Sequence, residues 1–134
     1  MKIIGFDTNV LIALKTKRET SYNQSKILLE DCLKGKIKLF VPIPVILETE
    51  WVLRSYYKQP KVKIIEFLDE LLEVENVLTE SKLEILYALN LYKYSPGLNF
   101  TDCVIITQMQ SFNIDEFLTF DEKLRKLYDS FTKN

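Results

Sequence analysis

An apolar run at residues 3–6, Ile-Ile-Gly-Phe, stops at Asp7-Thr8-Asn9, and apolar residues resume with helical spacing from Val10. This predicts a short buried strand over residues 3–6, a tight turn, and a helix over residues 10–14. Ile27, Leu28, Cys32 and Leu33 then recur at helical spacing within residues 21–33, and Gly35 suits that helix's C-terminal end. Residues 37–41 alternate and are rich in strand formers, which predicts a second strand. Pro44 fits the first turn of a following helix over residues 45–57. Beyond Pro60, the apolar positions Val62, Ile64, Ile65, Phe67, Leu68, Leu71 and Leu72 mark another helix, and Val77-Leu78 a short strand. Ser81 to Glu84 has capping-box spacing and opens a helix reaching about Tyr94. A Ser95-Pro96-Gly97 turn and a capping Asn99 precede a helix over residues 103–109. Last come a strand over residues 117–120, ending at Asp121, and a helix over residues 122–127. Alternating strands and helices, without an internal repeat or linker, predict one α/β domain over residues 1–134. Its central, mainly parallel sheet is flanked by helices in three α/β/α layers.

Composition narrows the chemistry. With 134 residues, 47% of them hydrophobic, the chain can bury one substantial core. Eighteen Lys and Arg against 19 Asp and Glu leave a net charge of −1, which neither demands nor forbids a nucleic-acid partner. There is no histidine, so no imidazole acts as general base or zinc ligand. Cys32 and Cys103 have no metal-ligand or redox spacing and read as reduced core thiols. No run approaches the roughly 20 apolar residues that span a bilayer, and no signal-peptide core precedes Asp7. A cytoplasmic protein without membrane contact is expected.

Four carboxylates stand out. Asp7 and Asp121 each end a predicted strand, where α/β sheets collect their ligands, and Asp102 opens a helix. Each is also explained as a helix cap or as a complement to the helix dipole. Glu48 lies between Val45 and Val52 on an apolar helix face, where an ionised carboxylate is costly unless paired or bound to a cation. A helix-edge glutamate reaching water is the plainer reading. Glu50 precedes Arg54 by four residues, as in a surface ion pair. Carboxylates that converge repel one another, and a hard divalent cation such as Mg²⁺ or Mn²⁺ removes that penalty. Such a site suits metal-assisted hydrolysis of a phosphodiester. Lys15, Lys17, Arg18, Arg54 and Lys123 are candidate phosphate contacts, each equally at home in solvent.

The segments Phe6-Asp7-Thr8-Asn9-Val10-Leu11, Ile46-Leu47-Glu48-Thr49-Glu50-Trp51-Val52-Leu53-Arg54, Gly97-Leu98-Asn99-Phe100-Thr101-Asp102 and Leu118-Thr119-Phe120-Asp121-Glu122-Lys123-Leu124 resemble, in order, the signature blocks of PIN domains. They are most similar to the VapC-type toxins of prokaryotic toxin–antitoxin pairs. The resemblance implies a Mg²⁺- or Mn²⁺-dependent endoribonuclease that leaves a 5′-phosphate and a 3′-hydroxyl. Asp7 and Asp121 would hold the metal, and Asp102 and Glu48 would complete the site directly or through water. Asn9 and Thr119 match polar positions near that site. The resemblance also implies an RNA substrate, a homodimer and a cognate antitoxin, with the 51–57 region offering apolar surface for either protein contact. Asn99 stands where many relatives carry a further acid, which puts an additional metal position in doubt. Two other readings keep the family but change the role: a housekeeping RNA-processing nuclease, and a binding module without catalysis. A phosphatase of the haloacid-dehalogenase type does not fit, because the first block reads Asp-Thr-Asn rather than two aspartates two residues apart.

Overall fold

In the computed structural model, which describes residues 1–132, three short strands pair in parallel in the order β1-β2-β3. They are β1 (Ile3–Gly5), β2 (Lys38–Phe40) and β3 (Val77–Leu78). Ile4 is opposite Leu39, and Leu39 is opposite Val77, so β2 is central and Leu39 is completely buried. Parallel neighbours need long crossovers. Helices α1 (Thr8–Thr16) and α2 (Glu19–Leu33) make the first, and α3 (Ile43–Ser55) and α4 (Lys61–Glu73) the second. Helix α2 ends as its glycine predicts. Gly35, at φ 75°, donates its N–H to the Cys32 carbonyl at 3.0 Å, and Lys36 donates to Asp31 at 2.9 Å. Helix α3 starts beyond Pro42, with Pro44 in its first turn and the Ile43 N–H donating to Glu80 Oε1 at 2.9 Å. Ile46 and Leu53 of α3 and Ile64, Leu68 and Leu72 of α4 are fully buried.

These elements make one compact unit, Met1–Lys82, and Leu83–Asn134 makes a second. The second contains α5 (Lys82–Lys93, beginning at the boundary), α6 (Phe100–Ser111) and α7 (Glu122–Thr132). Within it the fully buried Phe100 ring packs 5.5 Å from Tyr92, and Phe117 packs 4.9 Å from Tyr128. The Pro96-Gly97 turn has the Leu98 N–H donating to Ser95 at 3.3 Å and Gly97 at φ 85°. The fold is α/β, a parallel sheet flanked by helices. No helix among the described residues is long and apolar enough to cross a membrane. Both cysteines are buried and outside any disulfide, and burial pushes the Cys32 thiol above its ordinary range.

Three expectations change. Strand β1 is a sheet edge rather than a buried strand: Ile3 and Gly5 are exposed, and only Ile4 is half-buried. Residues 117–120 form no strand. The Phe117 carbonyl accepts from the Arg125 guanidinium, and Thr119 Oγ1 accepts the Asp121 N–H at 3.1 Å. Side chains thus engage backbone groups there, and Leu118 and Phe120 are exposed. The third change is the phase of α3. Its buried stripe is Ile46, Thr49, Glu50 and Leu53, so Glu48 is exposed and Glu50 is the acid inside. Glu50 does pair with Arg54, at 2.7 Å, but as a buried carboxylate rather than a surface one.

Candidate active site

Asp7 follows β1 at the carboxyl edge of the sheet and occupies the N-cap position of α1, with φ −100° and ψ −176°. Its carboxylate makes no capping hydrogen bond to the helix. A residue type favoured at caps for its side-chain oxygen is therefore present without that use, and its charge is exposed. The next residue, Thr8, is buried, and its hydroxyl donates to Glu48 Oε1. This contact ties the start of α1 to the middle of α3. It holds one oxygen of Glu48 against the residue adjoining Asp7, while the rest of that side chain faces solvent. Asn9 is exposed on the first turn of α1.

In the second unit the roles divide differently. Asn99 is the N-cap of α6, its side-chain oxygen accepting the Asp102 N–H at 2.8 Å. The neutral amide serves the helix, and the half-buried Asp102 carboxylate accepts in turn from the Asn99 backbone. Burial, the largest cause, and the negative charge of Asp121 hold the Asp102 carboxyl above the ordinary aspartate range. The Asn99 backbone hydrogen bond only partly opposes them. Asp121 caps α7 through Oδ1, which accepts the Leu124 N–H at 3.0 Å, and Thr119 fixes its backbone. One oxygen of Asp121 is thus spent on the helix. Asp102 and Asp121 are close enough to repel, and they lie beside a capping amide and a hydroxyl.

The PIN domain family model matches residues 4–130. The chain belongs to the PIN domain family. It is 30% identical over 127 residues to a protein of Aquifex aeolicus (strain VF5) described as a VapC ribonuclease, an alignment spanning 95% of this chain and 92% of that one.

The PIN match runs through both units and includes all four carboxylates. Two features of this PIN chain escape the sequence pattern. Thr8 reads as a turn residue, and its signal is only a small hydroxyl directly after an acid. The Glu50–Arg54 pair is readable as a pair, but not as buried. Among the candidate phosphate contacts, Arg54 is committed to Glu50 by both Nε at 2.7 Å and Nη2 at 3.3 Å. Among the described residues no three Cys, Asp or Glu side chains gather at metal-holding distance. The donor chemistry nevertheless fits a hard cation: the ligands on offer are carboxylate oxygens, and the mutual repulsion of Asp102 and Asp121 is what a divalent ion relieves. Mg²⁺ commonly takes only one or two carboxylates, with water completing its shell.

Proposed function

We propose that this PIN domain is a Mg²⁺- or Mn²⁺-dependent endoribonuclease and the toxin of a VapBC-type pair, with the two units acting as one domain. The observation that carries the reading is the Asp7 carboxylate, placed at a helix start that does not use it. Similarity to a VapC ribonuclease along nearly the whole chain supports the substrate class. Asp7 and Asp121 would hold the cation, with Asp102 and Glu48 completing the site directly or through water. When bound, the cation polarises the phosphoryl oxygen and lowers the pKa of water, so that hydrolysis leaves a 5′-phosphate and a 3′-hydroxyl. Thr8 keeps Glu48 aimed at the start of α1. Without a cation, burial and the charge of Asp121 hold the Asp102 carboxyl above the ordinary aspartate range, a cost that a bound ion would offset.

The same reading includes a homodimer and a cognate antitoxin. The exposed Trp51 ring on α3 supports a protein contact there. Two buried cysteines outside any disulfide support a reducing, cytoplasmic setting. The test is cleavage of total tRNA and ribosomal RNA by the purified protein, freed of any co-purifying partner. Wild type and Asp7→Asn are compared in Mg²⁺, Mn²⁺ and chelator. Metal-dependent cutting confined to wild type is expected. Equal cutting by both proteins would refute the assignment of Asp7.

A further inference from the structure

A groove of about 530 Å³ runs along α1, between the start of α2 and the end of α3, within the first unit. Asn9, Thr16, Arg18, Ser21, Tyr56 and Tyr57 contribute to its lining. We propose that this groove is a subsite for single-stranded RNA, in which a nucleobase stacks on Tyr56 while Arg18 contacts a phosphate. The inference rests on the ribonuclease reading above and adds to it the place where nucleotides beyond the reacting phosphate are held.

The aromatic chemistry comes first. Tyr56 and Tyr57 meet edge-on, with centroids 4.9 Å apart and ring planes at 73°. That contact supports Tyr56 from one side only, and 75% of the residue is exposed. A tyrosine placed to fill a core would not stand this far in solvent. A tyrosine offering a flat face to a base would, since protein–RNA recognition of unpaired strands depends on such stacking. Arg18 lies over the Tyr57 ring, its guanidinium carbon 5.8 Å from the centroid. This orients the planar cation without neutralising it, the state in which arginine meets phosphate oxygens.

Charge and position agree with the same occupant. Among the described lining residues Arg18 is charged and none is a carboxylate, in a chain that is otherwise slightly acidic. Of the basic cluster that the sequence alone leaves unassigned, Arg18 thus lines a cavity of ligand size, whereas Lys15 and Lys17 line a separate one with Glu66 and Glu70. The Asn9 amide and Ser21 hydroxyl supply exposed groups for base edges. Asn9 is two residues from Asp7, and from there α1 carries the groove about 10 Å to Thr16. A strand with one phosphate at Asp7 therefore has the groove beside it along the helix.

The test uses a fluorescein-labelled RNA octamer of mixed sequence containing 4-thiouridine, bound in chelator so that it is not cut. The proteins are wild type, Tyr56→Ala, Tyr56→Trp and Arg18→Gln, with melting temperatures checked for each. Tyr56→Ala should weaken binding between about fivefold and about 150-fold with an unchanged salt slope, and Tyr56→Trp should retain affinity. Arg18→Gln should reduce the magnitude of the salt slope by about 0.7, one phosphate's share on a single strand. Photocrosslinking should mark the peptide containing Tyr56. Wild-type affinity and slope in Tyr56→Ala and Arg18→Gln, with metal-dependent cleavage intact, would overturn the subsite and leave the nuclease standing. A wild type that neither binds nor cuts RNA would remove both readings. Unchanged RNA binding with loss of a co-expressed small protein from Tyr56→Ala would reassign the groove to a protein partner and so refute the proposal.

Discussion

Thr8→Val tests whether the start of α1 positions Glu48 or merely packs beneath it. The substitution exchanges a hydroxyl for a methyl at nearly constant volume, in a side chain that is only 9% exposed. What it removes is the hydrogen bond donated to Glu48 Oε1. Bonds to charged groups contribute about 1.5–3 kcal/mol. Glu48 is exposed, however, so water replaces the lost donor, and the added methyl recovers part of the remainder at up to about 0.8 kcal/mol. The expected net loss is about 1 kcal/mol, which for a chain of this size lowers Tm by roughly 3–5 °C. Catalysis should suffer more than stability. With Glu48 no longer held, kcat is expected to fall by about tenfold, a barrier change near 1.4 kcal/mol, while KM stays put because Thr8 is a positioning residue. Thr8→Ser keeps the hydroxyl and should restore kcat. A double-mutant cycle with Glu48→Gln, read in both urea unfolding and single-turnover cleavage, isolates the pair. Strictly additive effects in kcat would refute the claim that Thr8 acts through Glu48.

Other substitutions separate charge from scaffold. Asp121→Asn keeps an equally good N-cap for α7, so Tm should hold within about 1 °C while RNA cleavage and calorimetric Mg²⁺ binding are lost; Asp121→Ala should lose both and cost about 1 kcal/mol in urea unfolding. Arg54→Met leaves the Glu50 carboxylate, 3% exposed, without its guanidinium. A loss of about 2–4 kcal/mol is expected at pH 7. That deficit should shrink in Glu50→Gln/Arg54→Met, where no charge is left behind, and an equal deficit in the double variant would argue that packing alone is lost. Gly97→Ala should cost about 1 kcal/mol by urea midpoint. The cause is the positive φ of 85°, since the nearest obstacle to a Cβ is the mobile Lys123 amine at 3.4 Å.

The elements were legible where periodicity and punctuation agree. The αL glycine behind α2, the proline opening α3 and the Pro96-Gly97 turn each specify one backbone conformation, and the structure adopts it at all three. Helix α3 was legible as a helix but not in its phase. Val45, Ile46, Val52 and Leu53 mark two apolar stripes about 100° apart around the helix, and hydropathy cannot choose between them. What decides is that Glu50 enters the core carrying its own counter-ion one turn away, so the helix buries that acid and leaves Glu48 exposed. Residues 117–120 misled for a related reason. Their aromatic and β-branched content favours strand, but that preference reflects packing on a sheet, and Arg125 takes the Phe117 carbonyl instead. The candidate acids stand out one by one in the sequence, but nothing in the chain's pattern announces Thr8, because a single hydroxyl bond across 40 residues leaves no periodic trace.

The three aspartates also show why capping and chemistry are hard to tell apart in sequence. All three occupy helix starts, where the partial positive charge of the helix end stabilises a carboxylate. That stabilisation is useful to a nuclease before any cation arrives, because it lowers the cost of keeping negative charges ready. The three sites differ in who satisfies the helix. At α7 Asp121 does so itself; at α6 Asn99 does so on behalf of Asp102; at α1 no side chain of the N-cap residue does. Asn99 therefore has a structural reason to be neutral. An acid there would cap α6 equally well, but would add a third charge beside Asp102 and Asp121, where burial and repulsion already raise the Asp102 carboxyl. Asn99→Asp is accordingly expected to raise it further without metal. Because a divalent cation relieves that repulsion, the added charge should draw Mg²⁺ more tightly, and a Mg²⁺ titration of cleavage in that variant should show a lower half-saturating concentration. An unchanged or higher one would mean that position 99 lies outside the cation's reach.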